Sequence, residues 1–240
     1  MPHAARISSP REARTVVTNP QLFSLFLKFS ITTDGEVFDE KYFVKSENNR
    51  FYYIIPSSVI KSLKIIPDSC CGHMSNSNEN EIVALAKGFR LINSSPDSTL
   101  LDLGSRDAKW VRYKAGKFHD MDWNTSCASS TGATVEMILK FYNVNREDLE
   151  FNEEKFAVTC GIFGLEKIMD DISNGAEPRV AIAKFVHGIA YNAWVFAKKP
   201  EKLFLSGGFC ENKCFVDSLA KYCEIIPLGR FVLCEGLING

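Results

Sequence analysis

Residues 100–109, LLDLGSRDAK, contain the turn that decides the fold. The stretch predicts a strand, a glycine turn and a second strand. A tight turn exposes backbone N–H groups that bind anions, glycine lets a phosphate approach the backbone, and an acidic residue at a strand end can hold Mg²⁺, usually through water. The segment predicts either an ordinary polar hairpin turn or a phosphate-binding turn formed by Asp102, Gly104, Ser105, Asp107 and Lys109.

A second glycine loop lies in residues 203–219, LFLSGGFCENKCFVDSL. A predicted strand, Leu203–Leu205, runs into Gly207 and Gly208, and a helix is predicted to begin near Asn212. Ligands of α/β proteins favour the carboxyl ends of strands and the N-termini of helices. The alternative is a simple strand-to-helix loop, since Gly-Gly turns are common.

A third candidate lies in residues 121–142, MDWNTSCASSTGATVEMILKFY, where Cys127 stands beside small polar residues. A helix is predicted from about Gly132 to Tyr142. The hydroxyls of Ser130 and Thr131 could cap this helix or face an anion at its N-terminus. A thiol in such a turn is less easily explained as core filler than a thiol within an apolar strand.

The order of predicted elements indicates an α/β chain. Residues 23–44 alternate around an Asp34–Gly35 turn, which predicts a hairpin, and residues 99–123 predict a second set of hairpin strands. Apolar residues recur at helical spacing from Ile82. Further helices are predicted at 162–172 and 178–196, followed by a strand, a helix, a short strand and a last helix.

Composition excludes several classes of partner. The 240 residues have a net charge of -1, so nothing global attracts nucleic acid or a membrane surface, and no apolar run approaches the roughly 18 residues that span a bilayer. Residues 1–20 lack a secretory pattern and predict a loose leader. We therefore expect a cytoplasmic protein whose eight cysteines are reduced thiols.

These segments, in order, resemble the activator ATPases of 2-hydroxyacyl-CoA dehydratases and benzoyl-CoA reductases, the BadF/BadG/BcrA/BcrD type. The family motif DxGGxDxK is matched by DLGSRDAK at 102–109, and NDKCAAGTG by NTSCASSTG at 124–132. A second cysteine segment is matched by CGIF at 160–163, and the adenosine loop by LSGGFCENK at 205–213. The resemblance covers roughly residues 22–240.

The resemblance implies the two-lobed fold of the actin, sugar-kinase and heat-shock-chaperone ATPases, with ribonuclease H-like lobes. The first lobe would be 21–97 and the second 98–240, with the last helix able to return to the first. The ligand would be ATP or ADP with Mg²⁺, and Asp102 and Lys109 would be catalytic. The residues implied to bind nucleotide are Lys28, Gly104, Ser105, Asp107, Ser130, Thr131, Gly132, Gly207, Gly208 and Asn212.

The resemblance also implies an iron–sulfur centre. Cys127 and Cys160 would be two ligands of a 4Fe–4S cluster that a homodimer completes, because thiolates are the usual ligands of such clusters. The implied function is ATP-driven electron transfer to an acyl-CoA dehydratase or reductase. The alternative for this pair is two unrelated thiols. The remaining candidates, Cys210, Cys214, Cys223 and Cys234, are expected to be core or surface thiols.

The first phosphate strand departs from the family pattern. Gln21 and Phe23 stand where the family has Asp and Gly, although Lys28 falls where the family has Lys. Phenylalanine prevents the close phosphate approach that glycine permits. Either the family strand lies outside this sequence, or the chain is a divergent, non-catalytic member. A third alternative is a small-molecule kinase of the same superfamily, which would need a carboxylate base.

Overall fold

The computed structural model describes two compact units. One comprises residues 1–93 with 231–240, and the other residues 94–230. Residues 79–124, 132–158 and 161–238 are described throughout, and five short strands are described before them.

The first unit contains two small sheets. The three-stranded sheet has the order β1-β4-β3, with β1 parallel and β3 antiparallel to β4, and the other sheet pairs β2 with β5. The strands are β1 Ala4–Arg6, β2 Ala13–Val16, β3 Phe43–Glu47, β4 Arg50–Ile54 and β5 Ser69–Gly72. Strands β1 and β2 thus lie where a loose leader was predicted, and the predicted turn at Asp34–Gly35 lies outside the described residues.

Two helices of the first unit pack backbone to backbone. Helix α1 is Glu81–Ile92, as the apolar spacing predicts, and α6 is Val232–Ile238. A Cβ atom on Gly88 would lie 1.9 Å from Val232 O, and one on Gly236 would lie 1.7 Å from Ala84 O. The helices can approach this closely because both crossing positions lack side chains.

The second unit is built on a five-stranded sheet of order β10-β9-β6-β7-β8. The pairs β6–β9 and β9–β10 are parallel, whereas β6–β7 and β7–β8 are antiparallel. The predicted hairpin strands are thereby confirmed. The strands are β6 Ser98–Leu103, β7 Ala108–Lys114, β8 Lys117–Asn124, β9 Lys202–Ser206 and β10 Glu224–Pro227.

The helices of the second unit confirm the predicted ones. They are α2 Gly132–Phe141, α3 Gly161–Ser173, α4 Pro178–Phe196 and α5 Lys213–Ala220, with 3₁₀-helices at Arg146–Asp148 and Gly208–Glu211. Pro178 lies in the first turn of α4, where its missing N–H would have had no helical partner. Among the described helices, none is long and apolar enough to cross a bilayer.

The core of the second unit lies between the sheet and α4. Leu101, Trp110 and Leu205 belong to the same buried cluster as Phe185 and Ile189 of α4. Helices α3 and α5 pack against α4, which explains why this helix is buried along most of its length. Burying a side chain of this size contributes about 1.5–3 kcal/mol to the free energy of unfolding. Because Leu103 and Leu205, near the ends of β6 and β9, belong to this core, the core holds the two strand ends in place.

A β-bulge shifts the pairing of β7 with β8. Tyr113 pairs with Phe118, but Arg112 pairs with Asp120, so His119 is an extra residue on β8. Beyond the bulge, Lys109 therefore pairs with Trp123. An unbroken register would have placed Asp122 there, because one extra residue moves every later partner by one position.

Candidate functional site

Four side chains form a row across the sheet, where β6 and β9 end. Asp102 pairs with Ser206 on β9 and with Lys109 on β7, and Lys109 pairs with Trp123 on β8. Directly paired residues of neighbouring strands lie side by side on one face of a sheet. The two predicted catalytic residues are thus adjacent, and two residues that were not predicted flank them.

Asp102 is a fully buried carboxylate. Ser206 Oγ donates a hydrogen bond to Asp102 Oδ2 at 2.8 Å, and both residues are 0% exposed. A buried charge is costly unless it is hydrogen-bonded or paired. The serine hydroxyl therefore fixes one carboxylate oxygen at the end of β6.

Lys109, Asp107 and Trp123 form a closed group beside this carboxylate. Lys109 Nζ lies 2.6 Å from Asp107 Oδ2, and Trp123 Nε1 donates to the same oxygen at 2.9 Å. Lys109 Nζ also lies 4.7 Å from the centre of the Trp123 ring. Lys109 is 1% exposed, so its ammonium is held by these contacts rather than by bulk water.

The turn between β6 and β7 is held by α2. Gly104 N–H donates to Asp107 O at 3.0 Å, and the N–H groups of Gly132 and Ala133 donate to Gly104 O and Ser105 O at 3.1 and 2.9 Å. A Cβ atom on Gly132 would lie 3.2 Å from Gly104 O. The first N–H groups of α2 therefore bind carbonyls of the turn, and the predicted phosphate turn and the start of α2 are in direct contact.

The Gly-Gly loop after β9 packs against the end of β6, next to the turn between β6 and β7. Gly207 has φ 94° and ψ -174°, and its N–H donates to Gly229 O at 3.2 Å. A Cβ atom there would lie 2.3 Å from Leu103 O, whereas one on Gly208 would meet nothing within 4 Å. Gly207 is thus enclosed by backbone, and Gly208 borders open space beside the turn.

Asn212, a predicted adenosine contact, caps α5. Its Oδ1 accepts from Phe215 N–H at 3.0 Å, and the residue is 4% exposed. Such a cap contributes about 1 kcal/mol. Next to it, Glu211 accepts from Arg230 Nη1 at 3.0 Å and lies 3.6 Å from Arg146 Nη1, which links the Gly-Gly loop to the segment after α2.

Several predicted site residues lie outside the described residues, namely Lys28, Ser130, Thr131, Cys127 and Cys160. In the chain, Cys127 lies between the end of β8 at Asn124 and the start of α2 at Gly132, and Cys160 directly precedes α3. Across the described ranges, no group of three or more His, Cys, Asp or Glu side chains could hold a metal ion.

Three cysteines of the second unit are protected thiols. Burial raises the pKa of Cys210 to about 12, and burial likewise raises the pKa of Cys214 and of Cys223 to about 11. Cys210 Sγ donates to Leu205 O at 3.1 Å. The reactive form of cysteine is the thiolate, so these thiols are held in their unreactive form.

We expect Cys210, Cys214 and Cys223 to react with iodoacetamide at pH 8 at least about tenfold more slowly in the native protein than in urea. Mass spectrometry of the alkylated peptides measures this ratio. The pKa of an unfolded cysteine thiol is about 8.5, whereas the pKa values of these folded thiols are about 11 to 12. The unfolded chain therefore loses protons first, and the thiols' contribution to stability falls as the pH rises from about 8.5 to about 12. Equal labelling in native and unfolded protein would contradict their burial.

Ser206 and Trp123 are the site residues that sequence reasoning missed. Ser206 follows a recognisable strand, so its position beside the Gly-Gly loop could have suggested a role. Its hydrogen bond to Asp102 depends on the parallel pairing of β6 with β9, which are 104 residues apart at these positions. Trp123 reaches Asp107 through the bulge, for which the sequence has no clear local signal.

Comparison with known proteins identifies the class of fold. The chain matches no established family profile. Its fold is similar to that of the (R)-2-hydroxyglutaryl-CoA dehydratase component A of Acidaminococcus fermentans, with a TM-score of 0.56 and 18% identity over 67% of this chain and 66% of that one. The fold is also similar to that of the activator of the 2-hydroxyisocaproyl-CoA dehydratase from Clostridium difficile, which was solved with bound ADPNP. The TM-score is 0.61 and the identity 19%, over 93% of this chain and 81% of that one. The predicted α/β fold is confirmed, and it is similar to the fold of these two proteins.

The sequence itself is similar to one activator. The (R)-2-hydroxyglutaryl-CoA dehydratase activating ATPase of Acidaminococcus fermentans is 22% identical over 123 residues, which are 48% of this chain. The matched region spans 47% of that protein's length. The resemblance to the dehydratase activator ATPases, inferred from the motifs, is thereby confirmed.

Proposed function

We propose that this chain binds Mg²⁺-ATP and acts as an ATP-dependent activator of an acyl-CoA dehydratase or reductase. One observation carries the proposal: the turn after β6, the start of α2 and the Gly-Gly loop meet at one place beside the buried carboxylate of Asp102. The similarity to activators named for dehydratases supports the choice of partner.

The residues of the second unit fit a magnesium nucleotide. Gly208 borders open space, which a phosphate can enter because no side chain fills it. The carboxylate of Asp102 would hold Mg²⁺, directly or through water, and Lys109, at the start of β7, would neutralise phosphate charge beside the Gly104–Ser105 turn. Phosphoryl transfer needs mainly positioning and electrostatic stabilisation, and buried, hydrogen-bonded charges suit that role.

The other nucleotide contacts are proposed from the resemblance. Gly207 and Asn212 would shape the adenosine side of the site, since Gly207 is enclosed by the Leu103 backbone and Asn212 caps the helix after the loop. Gly132 would act through its contact with Gly104. Lys28, Ser130 and Thr131 would complete the phosphate side.

Calorimetry with Mg²⁺-ATP, followed by a phosphate-release assay, tests the nucleotide proposal. We expect binding in the micromolar range and slow turnover. Gln21 and Phe23 in the first phosphate strand favour a second candidate, a member that binds nucleotide without hydrolysing it. Binding without phosphate release would favour that candidate, and a protein that binds no adenine nucleotide would overturn both.

We propose that Cys127 and Cys160 each supply a thiolate to a 4Fe–4S cluster completed by a second copy of the chain. When bound, such a cluster supplies one electron at a time to the partner enzyme. Anaerobic reconstitution followed by iron analysis and visible spectroscopy tests this directly. A colourless, iron-free protein would refute the cluster, and sedimentation of the reconstituted protein as a monomer would refute the shared arrangement.

The Gly208→Ala variant should remain folded but bind Mg²⁺-ATP about tenfold more weakly. The added methyl group meets no protein atom within 4 Å, so the free energy of unfolding should change little. It would occupy space that the nucleotide needs, and a tenfold loss corresponds to about 1.4 kcal/mol. Calorimetry measures the affinity and urea denaturation the stability. Unchanged affinity would place the nucleotide away from this loop.

A further inference from the structure

Trp123 makes two directed contacts with the candidate site from the edge strand β8. Its indole N–H donates to Asp107 Oδ2 at 2.9 Å, and its ring lies 4.7 Å from Lys109 Nζ. The side chain is 37% exposed, so burial alone does not explain its orientation. Elsewhere on the same strand, Phe118 and Met121 are 51% and 41% exposed. They pair with Tyr113 and Val111, which lie further along β7 from the turn than Lys109.

The indole restricts the Asp107 carboxylate. A carboxylate that accepts from a single donor can rotate about that contact, whereas Oδ2 of Asp107 accepts from two donors that approach from different residues. Hydrogen bonds to a charged group are stronger than neutral ones, at about 1.5–3 kcal/mol. The second donor therefore fixes which way the carboxylate faces.

The ring also limits the motion of Lys109. An ammonium over the face of a tryptophan ring is attracted by the ring electrons, by about 0.5–2 kcal/mol depending on exposure. Lys109 is 1% exposed, and its Nζ is enclosed by the Asp107 carboxylate on one side and the ring on another. Asp107 and Lys109 are thus both contacted by the Trp123 side chain.

We propose that Trp123 is a positioning residue of the nucleotide site, holding the Asp107–Lys109 pair in the single geometry that Mg²⁺-ATP binding requires. This inference rests on the proposed function, because it assigns to Trp123 a part in the same site. The β-bulge opposite Arg112 and Tyr113 shifts the pairing of β7 with β8 by one residue, so that Trp123 pairs with Lys109. Without the bulge, the acidic Asp122 would pair with Lys109. Aspartate there would add a negative charge where phosphate is expected and would supply no hydrogen-bond donor.

Two substitutions separate the contributions of the indole. Trp123→Phe removes the N–H donor and retains a ring, and we expect about threefold weaker Mg²⁺-ATP binding. Trp123→Leu removes both contacts, and we expect about tenfold weaker binding. Phe118→Leu, on the same exposed strand, is the matched control and should bind as the unmodified protein does. Thermal unfolding should change little for Phe118→Leu. The Trp123 variants lose contacts with charged groups, so their unfolding is measured as well and their affinities are compared at a temperature at which each variant is folded.

A spectroscopic measurement tests the contact itself. The chain has three tryptophans, so ¹⁵N-labelled protein gives three indole N–H signals, and Trp123→Phe identifies the signal of Trp123. We expect this signal to shift in the Asp107→Asn variant, and to shift on addition of Mg²⁺-ATP more than those of Trp110 and Trp194. A merely structural role for Trp123 would leave its signal unmoved by nucleotide.

The outcomes distinguish this inference from the proposed function. If the unmodified protein binds Mg²⁺-ATP and both Trp123 variants bind equally well, Trp123 has no positioning role and the nucleotide site stands. The inference would also be overturned if the chemical shift of the Trp123 indole N–H changed neither in the Asp107→Asn variant nor on addition of Mg²⁺-ATP. If the unmodified protein binds no nucleotide, the proposed function fails and the role of Trp123 fails with it.

Discussion

The Asp102→Asn variant should lose about a hundredfold or more of any ATP turnover while remaining folded. Removing one preorganised electrostatic group from an active site typically costs about 10²–10³ in rate, and Asp102 is the buried carboxylate nearest to the predicted phosphate turn along β6. Asparagine has the same shape and keeps an oxygen that accepts from Ser206 Oγ, which now donates at 2.8 Å. The change therefore removes the charge while it keeps the shape of the side chain and the contact with Ser206.

Steady-state phosphate release measures this effect, with Asp217→Asn as the matched control. Asp217 is paired with Lys213 on the surface of α5, so removing its charge should leave turnover unchanged. A second variant, Ser206→Ala, should reduce turnover less, because the carboxylate stays charged and only its orientation is loosened. Equal turnover in Asp102→Asn and the unmodified protein would remove Asp102 from the catalytic site.

The Gly207→Ala variant should be destabilised by about 3 kcal/mol or more. A backbone φ of 94° with ψ near 180° is a region that glycine alone adopts easily, and other residues incur about 1–3 kcal/mol there. In addition, the new Cβ would lie 2.3 Å from Leu103 O and 2.9 Å from Leu103 C. Because both are backbone atoms of a central strand, β6 or the loop has to move.

Urea denaturation of Gly207→Ala and Gly208→Ala side by side measures this difference. The two variants add the same methyl group at neighbouring positions, but only the first meets backbone. We expect a large loss of unfolding free energy for Gly207→Ala and little for Gly208→Ala. Equal stability of the two variants would show that the loop relaxes freely and that β6 does not hold it.

Local sequence signals predicted most elements of the second unit. Helix α4 was predicted at 178–196, with the bounds that the structure has, and Pro178 suits its first turn because the missing N–H would have had no helical partner. The turn at 104–107 and the strands around it were also predicted. Residues Asp102, Gly104, Asp107 and Lys109 therefore lie together, as a short hairpin requires.

Nonlocal pairing could not be predicted from the same signals. The order β10-β9-β6 joins strands about a hundred residues apart, and no periodicity within β6 or β9 specifies that Ser206 faces Asp102. The bulge in β8 is a second example. A regular pairing of β7 with β8 would have placed Asp122 beside Lys109. The extra residue, His119, shifts the pairing by one position, so that Trp123 lies there instead.

The close crossing of α1 and α6 constrains the order in which the two units can complete their folding. Residues 94–230 form a continuous unit that contains its own sheet and core, so it can begin to fold on the ribosome as soon as it emerges. The unit that holds the first 93 residues also needs the segment 231–240, because Gly88 and Gly236 pack against each other's helices. Although its amino-terminal part is synthesised first, that unit is complete only once residues 231–240 have also been synthesised.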